Sequence, residues 1–345
     1  MQEFLKKNIV LDYLKVVLIL MVLGIHAPLS VGISICGVDV LQPFFRMAVP
    51  LFFIMSSYFF WGKIHSLNNR NEVYAALKRF IKRNALLYIF WFLLLLPITI
   101  HLRWNWWIAP GGIKGAVTFC MNLFFGGTFF ASWFLSALLI DVIVIFFASR
   151  RLSNGILLLI GIFLYCIAVL FSGFSSVVYK FYPSLESVAI FRAMSLLIPT
   201  SLVSAFIWIV IGKIVSENNN FKLKEGLRYY VLAVLFLVYT IEVIVRKSLL
   251  GGGGDCYFML PLVCPVIFIL VKDLHLNLPD CKSFRPMSTV FYVFHGSLFY
   301  ILDLCGFANH SLLKFMLGSV CCCMMYLLLS RLSKVRYLTW VKYSY

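Results

Sequence analysis

The stretch IVLDYLKVVLILMVLGIHAPL, from Ile9 to Leu29, decides the fold. It is long and apolar enough to cross a bilayer, yet it carries Asp12, Lys15 and His26. A helix advances 100° per residue, so the eleven steps from Lys15 to His26 make about three turns and set both side chains on one face, roughly 16 Å apart along the axis. Asp12, one turn before Lys15, joins that stripe. A charge facing lipid costs several kcal/mol, whereas one facing other helices or a wet cavity can be paired or solvated. The stripe is therefore predicted to face inward, and it is the first functional candidate. Each member also has a structural reading: Asp12 as a helix start, Lys15 as a snorkelling cation and His26 as an interface residue.

Composition extends this reading to the whole chain. Of 345 residues, 62% are hydrophobic and 12% charged, about half the charge of an ordinary soluble domain. Apolar runs of spanning length recur throughout, predicting an all-α, polytopic helical membrane protein with about ten transmembrane helices. The spans read as 9–30, 43–62, 84–100, 131–149, 154–172, 196–215, 229–245, 256–271, 287–303 and 312–330. They form one domain over 9–330, followed by a short cytoplasmic tail at 331–345. The first run is expected to stay in the mature protein, since its apolar core exceeds that of a signal peptide. An even number of spans puts both termini on one side, with Lys6 and Lys7 inside, and most Lys and Arg then fall in the inner loops. The net charge of +17 thus reflects membrane orientation and an anionic cofactor, with no nucleic-acid-binding domain to account for. The ten cysteines, three of them consecutive at Cys321 to Cys323, lack metal-site spacing and read as free thiols.

In the second span, FFRMAVPLFFIMSSYFFWG, Arg46 enters from the outer side at a depth similar to His26. Pro50 interrupts the helix beside it, which suits a cavity wall. Ser56, Ser57 and Tyr58 lie farther inward and serve either helix packing or the site. The loop from Lys63 to Arg83 ends in ALKRFIKRNALLY, bringing Lys78, Arg79, Lys82 and Arg83 onto adjacent helical turns. That cluster suits lipid phosphates, topology, or the phosphates of a nucleotide-containing cofactor. No glycine-rich phosphate loop accompanies it, and Gly251 to Gly254 read as an outer turn.

From His101 to Phe130 the pattern breaks. HLRWNWW suits an interface, with Trp104, Trp106 and Trp107 as anchors, and FFGGTFFASWFLSALL can include a re-entrant turn. Trp133 and Ser136 then begin the next helix near the outer side, lining a cavity or simply packing. Glu242 is placed to pair with Arg46, Arg192 or Arg246. His295, in STVFYVFHGSLFY, is a second buried histidine, either structural or part of the site.

Taken together, DYLKVVLILMVLGIH, RMAVPLFFIMSSYFF, KRFIKR, SWFLSALL, FRAMSLLIPTSLVSAFIWIVIGK and STVFYVFHGSLFY resemble the membrane-bound acyltransferase family 3, bacterial integral-membrane O-acyltransferases that include sugar O-acetyltransferases. The resemblance runs from Asp12 through the tenth span. Lys15 stands where the family usually has arginine, and Ser56 with Ser57 where it usually has a serine–glycine pair. The resemblance implies that His26 is catalytic and that the basic cluster receives acyl-coenzyme A. Acetyl-CoA or another acyl-CoA is then the donor, a hydroxyl of a cell-surface or periplasmic glycan or glycolipid precursor is the acceptor, and no metal is needed. It also implies the bacterial cytoplasmic (inner) membrane, multi-pass, among membrane lipids. In that chemistry neutral His26 accepts the hydroxyl proton, and Arg46 stabilises the oxyanion or positions an acidic acceptor. Lys15 joins the cofactor-binding cations, and Asp12, Ser57, Tyr58, Trp133, Glu242 and His295 are the supporting candidates. A transporter or flippase for a glycan precursor or small solute is the alternative, because intramembrane charges and Pro50 suit it too.

Overall fold

The computed structural model describes residues 8–27, 29, 34–35, 38–174, 181–184, 194, 197–218, 225–250, 254–274 and 276–345. Lys6, Lys7, Arg192 and Gly251 to Gly253 lie outside them, as does most of the outer loop after Gly173. Helix α1 covers Ile9–His26 and starts where the Asn8 side chain accepts the Leu11 amide at 3.2 Å, satisfying an amide that the first turn leaves open. A two-stranded ribbon, Ser34–Ile35 against Val38–Asp39, follows the His26 end of α1 and is the one departure from the all-α expectation among the described residues. Helix α2 (Leu41–Phe45) and helix α3 (Ala48–His65) then run almost as one.

Sequence reading placed a helix break at Pro50; the structure moves it one turn earlier, to Arg46 and Met47. Proline has no N–H to offer the carbonyl four residues back, which here belongs to Arg46, so the chain relaxes into a turn at that residue. Pro50 itself sits in the first turn of α3, where its fixed φ is tolerated.

Helix α4 (Arg70–Leu94) bends by 73° into α5 (Leu96–Arg103) and a π-helical turn, Trp104–Ile108. Next come α6 (Gly112–Met121) and a second π-turn, Asn122–Gly126, before α7 (Ser132–Ala148). Trp104 and Trp106 are exposed, as interface anchors require, but Trp107 is buried edge-on against Phe119. The remaining helices are α8 (Asn154–Gly173), α9 (Leu202–Glu217), α10 (Glu225–Leu250), α11 (Leu260–Lys272), α12 (Phe284–Leu302) and α13 (Ser311–Leu332).

Among the described residues, six helices are long and apolar enough to cross a membrane, or seven if the bent α4–α5 pair counts as one span. The chain is therefore a polytopic helical membrane protein. Helices α1, α3, α9 and α12 form its centre: α3 packs along α9, and α1 is held between α3 and α12. Outer helices such as α8 and α10 turn Leu159, Phe163 and Leu237 outward, as lipid-facing surfaces do.

The tail at 331–345 is not free of the bundle. A 3₁₀ segment, Arg336–Ser344, returns to α4, where the buried Trp91 indole donates to the Ser344 carbonyl at 2.8 Å.

The α3–α9 contact explains two small residues. Ser57 is fully buried and donates to the Ile209 carbonyl at 2.6 Å. A Cβ on Gly212 would lie 2.5 Å from the Ile54 carbonyl oxygen and 2.6 Å from the Ser57 Cβ. Ser57 is thus a packing residue and lines neither of the cavities described below, and Tyr58, packed edge-on against Phe268, does not line them either. Gly212→Val should force these helices apart and destabilise the protein by about 1–3 kcal/mol. Thermal unfolding in detergent should show a lower midpoint for this variant, with no comparable change for a valine at lipid-facing Leu237.

Candidate active site

Two cavities lie on either side of the bundle centre. The one at the Lys15 end of α1, called inner after the expected orientation, measures about 580 Å³ and is lined by the cations Lys15, Lys63, Arg79, Arg83 and Arg285 over an apolar floor that includes Phe52, Phe134 and Tyr292. The one at the His26 end, called outer in the same sense, measures about 260 Å³ and is lined by His26, Arg46, Arg103, Trp133, Asp255 and His295 among others. Tyr292 is in the wall of both. Its ring meets Phe134 at 5.0 Å and Phe52 at 5.8 Å, so an aromatic layer separates the two spaces.

The inner cavity is organised by Asp12. Its buried carboxylate receives Arg285 Nε at 2.6 and 2.9 Å and Lys15 Nζ at 3.1 Å. A buried carboxylate with two cationic donors is compensated, and it fixes both cations in turn. Arg285 bonds Asp12 through Nε, and its terminal nitrogens can donate to an anion in the cavity.

The basic run splits by helical phase. Arg79 and Arg83, four residues apart, line the cavity, whereas Lys78 and Lys82 lie on the adjoining face and do not. Lys78 and Lys82 are thereby removed from the cavity wall expected for all four.

At the outer cavity His26 is accessible to the cavity space, while His295 is buried. Their ring centroids are 5.1 Å apart. His295 Nδ1 lies 3.1 Å from the Phe291 carbonyl. A carbonyl only accepts, so Nδ1 carries the proton and a neutral His295 keeps its lone pair on Nε2. Arg46 forms an ion pair with Asp255. Cys256, beside it, directs its thiol to the Pro199 carbonyl at 3.7 Å.

The left-handed backbone at Ala131 (φ 61°) and the turn closed by Ser132, which bonds both the N–H and the carbonyl of Phe129, aim Trp133 into this cavity. Glu242 is outside it. Among the described residues its carboxylate accepts the amides of Phe258 and Met259 at 2.7 and 2.9 Å, capping the start of α11 in place of the expected arginine pair.

The structure thus brings together His26, Arg46, His295 and Trp133 in one place, and Lys15, Arg79 and Arg83 in another, with Asp12 behind the second group. Sequence reading overlooked Arg285, Arg103, Asp255 and Tyr292. One signal for Arg285 was present: Lys15 precedes His26 by eleven residues, and Arg285 precedes His295 by ten. Both α1 and α12 therefore set a cation in the inner cavity and a histidine in the outer one.

No solved structure matches the chain. A stretch of 119 residues is 26% identical to an amino-acid racemase of Enterococcus faecalis, covering 32% of this chain and 15% of that protein. The chain thus spans only a small part of that curated relative. A family model described as an acyltransferase domain matches residues 8–333, which includes every helix from α1 to α13. The chain belongs to this family of membrane-bound acyltransferases.

Proposed function

We propose that this enzyme moves an acetyl or similar short acyl group from cytoplasmic acyl-CoA to a hydroxyl of a cell-surface or periplasmic glycan, or of its lipid-linked precursor. The observation that carries the reading is the paired arrangement of a cation-lined inner cavity and a histidine-lined outer one, sharing the wall residue Tyr292. The nucleotide phosphates of the donor meet Lys15, Arg79, Arg83 and Arg285, and the flexible thioester arm extends past Tyr292. Helix α1, about 27 Å long, spans the distance between the two ends. Family membership favours acyl transfer over the transporter or flippase alternative.

In the reaction, the acceptor oxygen attacks the thioester carbonyl as His26 takes the hydroxyl proton. A new C–O bond forms, the C–S bond breaks, and the proton held by His26 passes to the departing sulfur, giving coenzyme A and neutral His26. Arg46, held by Asp255, offers guanidinium N–H donors to the tetrahedral oxyanion as it develops. His295 is a positioning residue: its ring lies against His26 and its orientation is fixed by the Phe291 carbonyl. Direct transfer is favoured over a cysteine-linked intermediate, because the Cys256 thiol at this cavity is already engaged with a backbone carbonyl.

The proposal includes ten crossings in the bacterial inner membrane with both termini cytoplasmic, in which α7, α9 and α11 are the shorter spans beside the longer helices. It also treats 9–330 as one catalytic domain.

Topology is open to thiol labelling once the exposed native cysteines are replaced. Arg70→Cys and Arg336→Cys should be shielded from an impermeant reagent added outside, and Trp106→Cys should react with it. Opposite exposure of positions 70 and 336 would rule out an even number of crossings.

For the donor site, Arg285→Gln and the double variant Arg79→Gln with Arg83→Gln should each raise the KM for acetyl-CoA by about tenfold or more, as expected for the loss of charge-assisted phosphate contacts. Lys78→Gln with Lys82→Gln should change it by less than about twofold, because those side chains do not line the cavity. Equal effects from the two double variants would indicate a diffuse field in place of a defined site.

For the chemistry, His26→Ala and His26→Gln should lower acceptor-dependent release of coenzyme A by about 100- to 10,000-fold at saturating substrates. His295→Gln should act more mildly. Near-normal turnover by monodisperse His26→Ala protein would reject the base assignment.

A further inference from the structure

Resting on the acyl-transfer reading above, we infer that the acceptor is an acidic glycan, bound through a carboxylate or phosphate group to Arg103 in the outer cavity. Arg103 ends α5, just beyond the bend after α4, and lines the same space as His26. The cavity's formal charges do not cancel. Arg46 is neutralised by Asp255, and the two histidines serve the proposed chemistry as neutral rings. Arg103 is the remaining cation, and among the described residues no carboxylate lies within 4.0 Å of it and no hydrogen bond engages its guanidinium. It is also only partly exposed.

A guanidinium held in a confined, largely apolar space has lost part of its hydration without gaining a counter-charge. Its planar fork fits the paired oxygens of a carboxylate or phosphate better than any neutral group. The rest of the wall suits a sugar: Trp133 and Trp208 both line the cavity, and indole rings pack against the apolar faces of sugar rings. At about 260 Å³ the space is below the usual size of pockets for drug-sized ligands, so it takes one sugar unit with its acidic substituent and not a long oligosaccharide. With the acidic group on Arg103, a hydroxyl of the same unit is presented to the histidine side of the cavity.

The test uses the full chain purified in detergent and reconstituted in neutral phospholipid. The probes are trigalacturonate, a hyaluronan tetrasaccharide, the carboxyl-reduced counterpart of each, and glucose 1-phosphate with methyl glucoside as its neutral partner. Binding is followed by tryptophan fluorescence, and coenzyme A release from acetyl-CoA is measured in the same samples. At least one acidic probe should bind tenfold or more tightly than its neutral partner. Arg103→Gln should reduce that preference below threefold, while Arg103→Lys, which keeps the charge, should retain most of it. The uronate and phosphate arms then identify which anion is recognised.

Equal binding of acidic and neutral partners, binding by none of the acidic probes, or a preference that survives Arg103→Gln would overturn the inference. So would a variant whose only change is weaker association with phosphatidylglycerol vesicles, since Arg103 would then be a lipid contact. If acidic probes bind through Arg103 but acetyl-CoA neither binds nor is consumed, the glycan assignment stands and the acyl-transfer reading fails.

Discussion

The interaction on which the rest depends is the carboxylate of Asp12 between Lys15 and Arg285. It ties the first helix to α12 at the inner side of the bundle, and these two helices carry the two histidines at the other end. An unpaired carboxylate at this depth would carry a desolvation penalty of several kcal/mol, so the pairing is a condition for bringing α1 and α12 together. Arg285 is partly exposed, which reduces the energy of the pair below that of a fully buried one, but its geometric effect remains. Once the inner ends are fixed, the rigid rise of each helix sets His26 and His295 side by side.

This arrangement separates two requirements that conflict in a single site. Binding a polyphosphate needs converging cations open to water, while proton abstraction by histidine is helped by a neighbourhood in which the ring stays neutral. Under the proposed acyl transfer, placing Lys15 and His26 three turns apart on one face would meet both conditions with one helix. Asp255 similarly screens Arg46 within the outer cavity, limiting the positive field that His26 experiences.

Much of this was legible in the sequence because a bilayer restricts the choices. Apolar runs in hydrocarbon must be helices, and a cation and histidine in such a run must face inward, so α1 and its stripe could be read from Asp12, Lys15 and His26 alone. Helical phase could likewise have divided Arg79 and Arg83 from Lys78 and Lys82. Partners distant in sequence were less accessible. Nothing local distinguishes Asp255 from Glu242 as the anion for Arg46; that choice is made by how the segment before α11 folds, with Glu242 taken up by two backbone amides. Ser57 reads equally well as a site hydroxyl or a packing hydroxyl until Gly212 is seen to bring α9 against it. Arg103 was hidden for another reason: the 73° bend after α4 turns an interfacial segment back towards the bundle, and no periodicity signals a bend of that size.

Tyr292 connects these elements. Its ring is part of both cavity walls and is packed by Phe52 and Phe134, so what lies between the cavities is a layer of aromatic rings. On the proposed reading, a thioester arm passing there would displace little ordered water, whereas hydrated ions and free water would meet an aromatic barrier. An enzyme holding an activated acyl group against an aqueous compartment must favour a sugar hydroxyl over water, although the two nucleophiles are chemically similar. On the proposed reading, discrimination rests on which nucleophile is held beside His26, and an acceptor fixed by aromatic contacts and a charged anchor would be held there while water would not. The aromatic layer and the cationic outer wall thus serve the same end from opposite sides of the thioester.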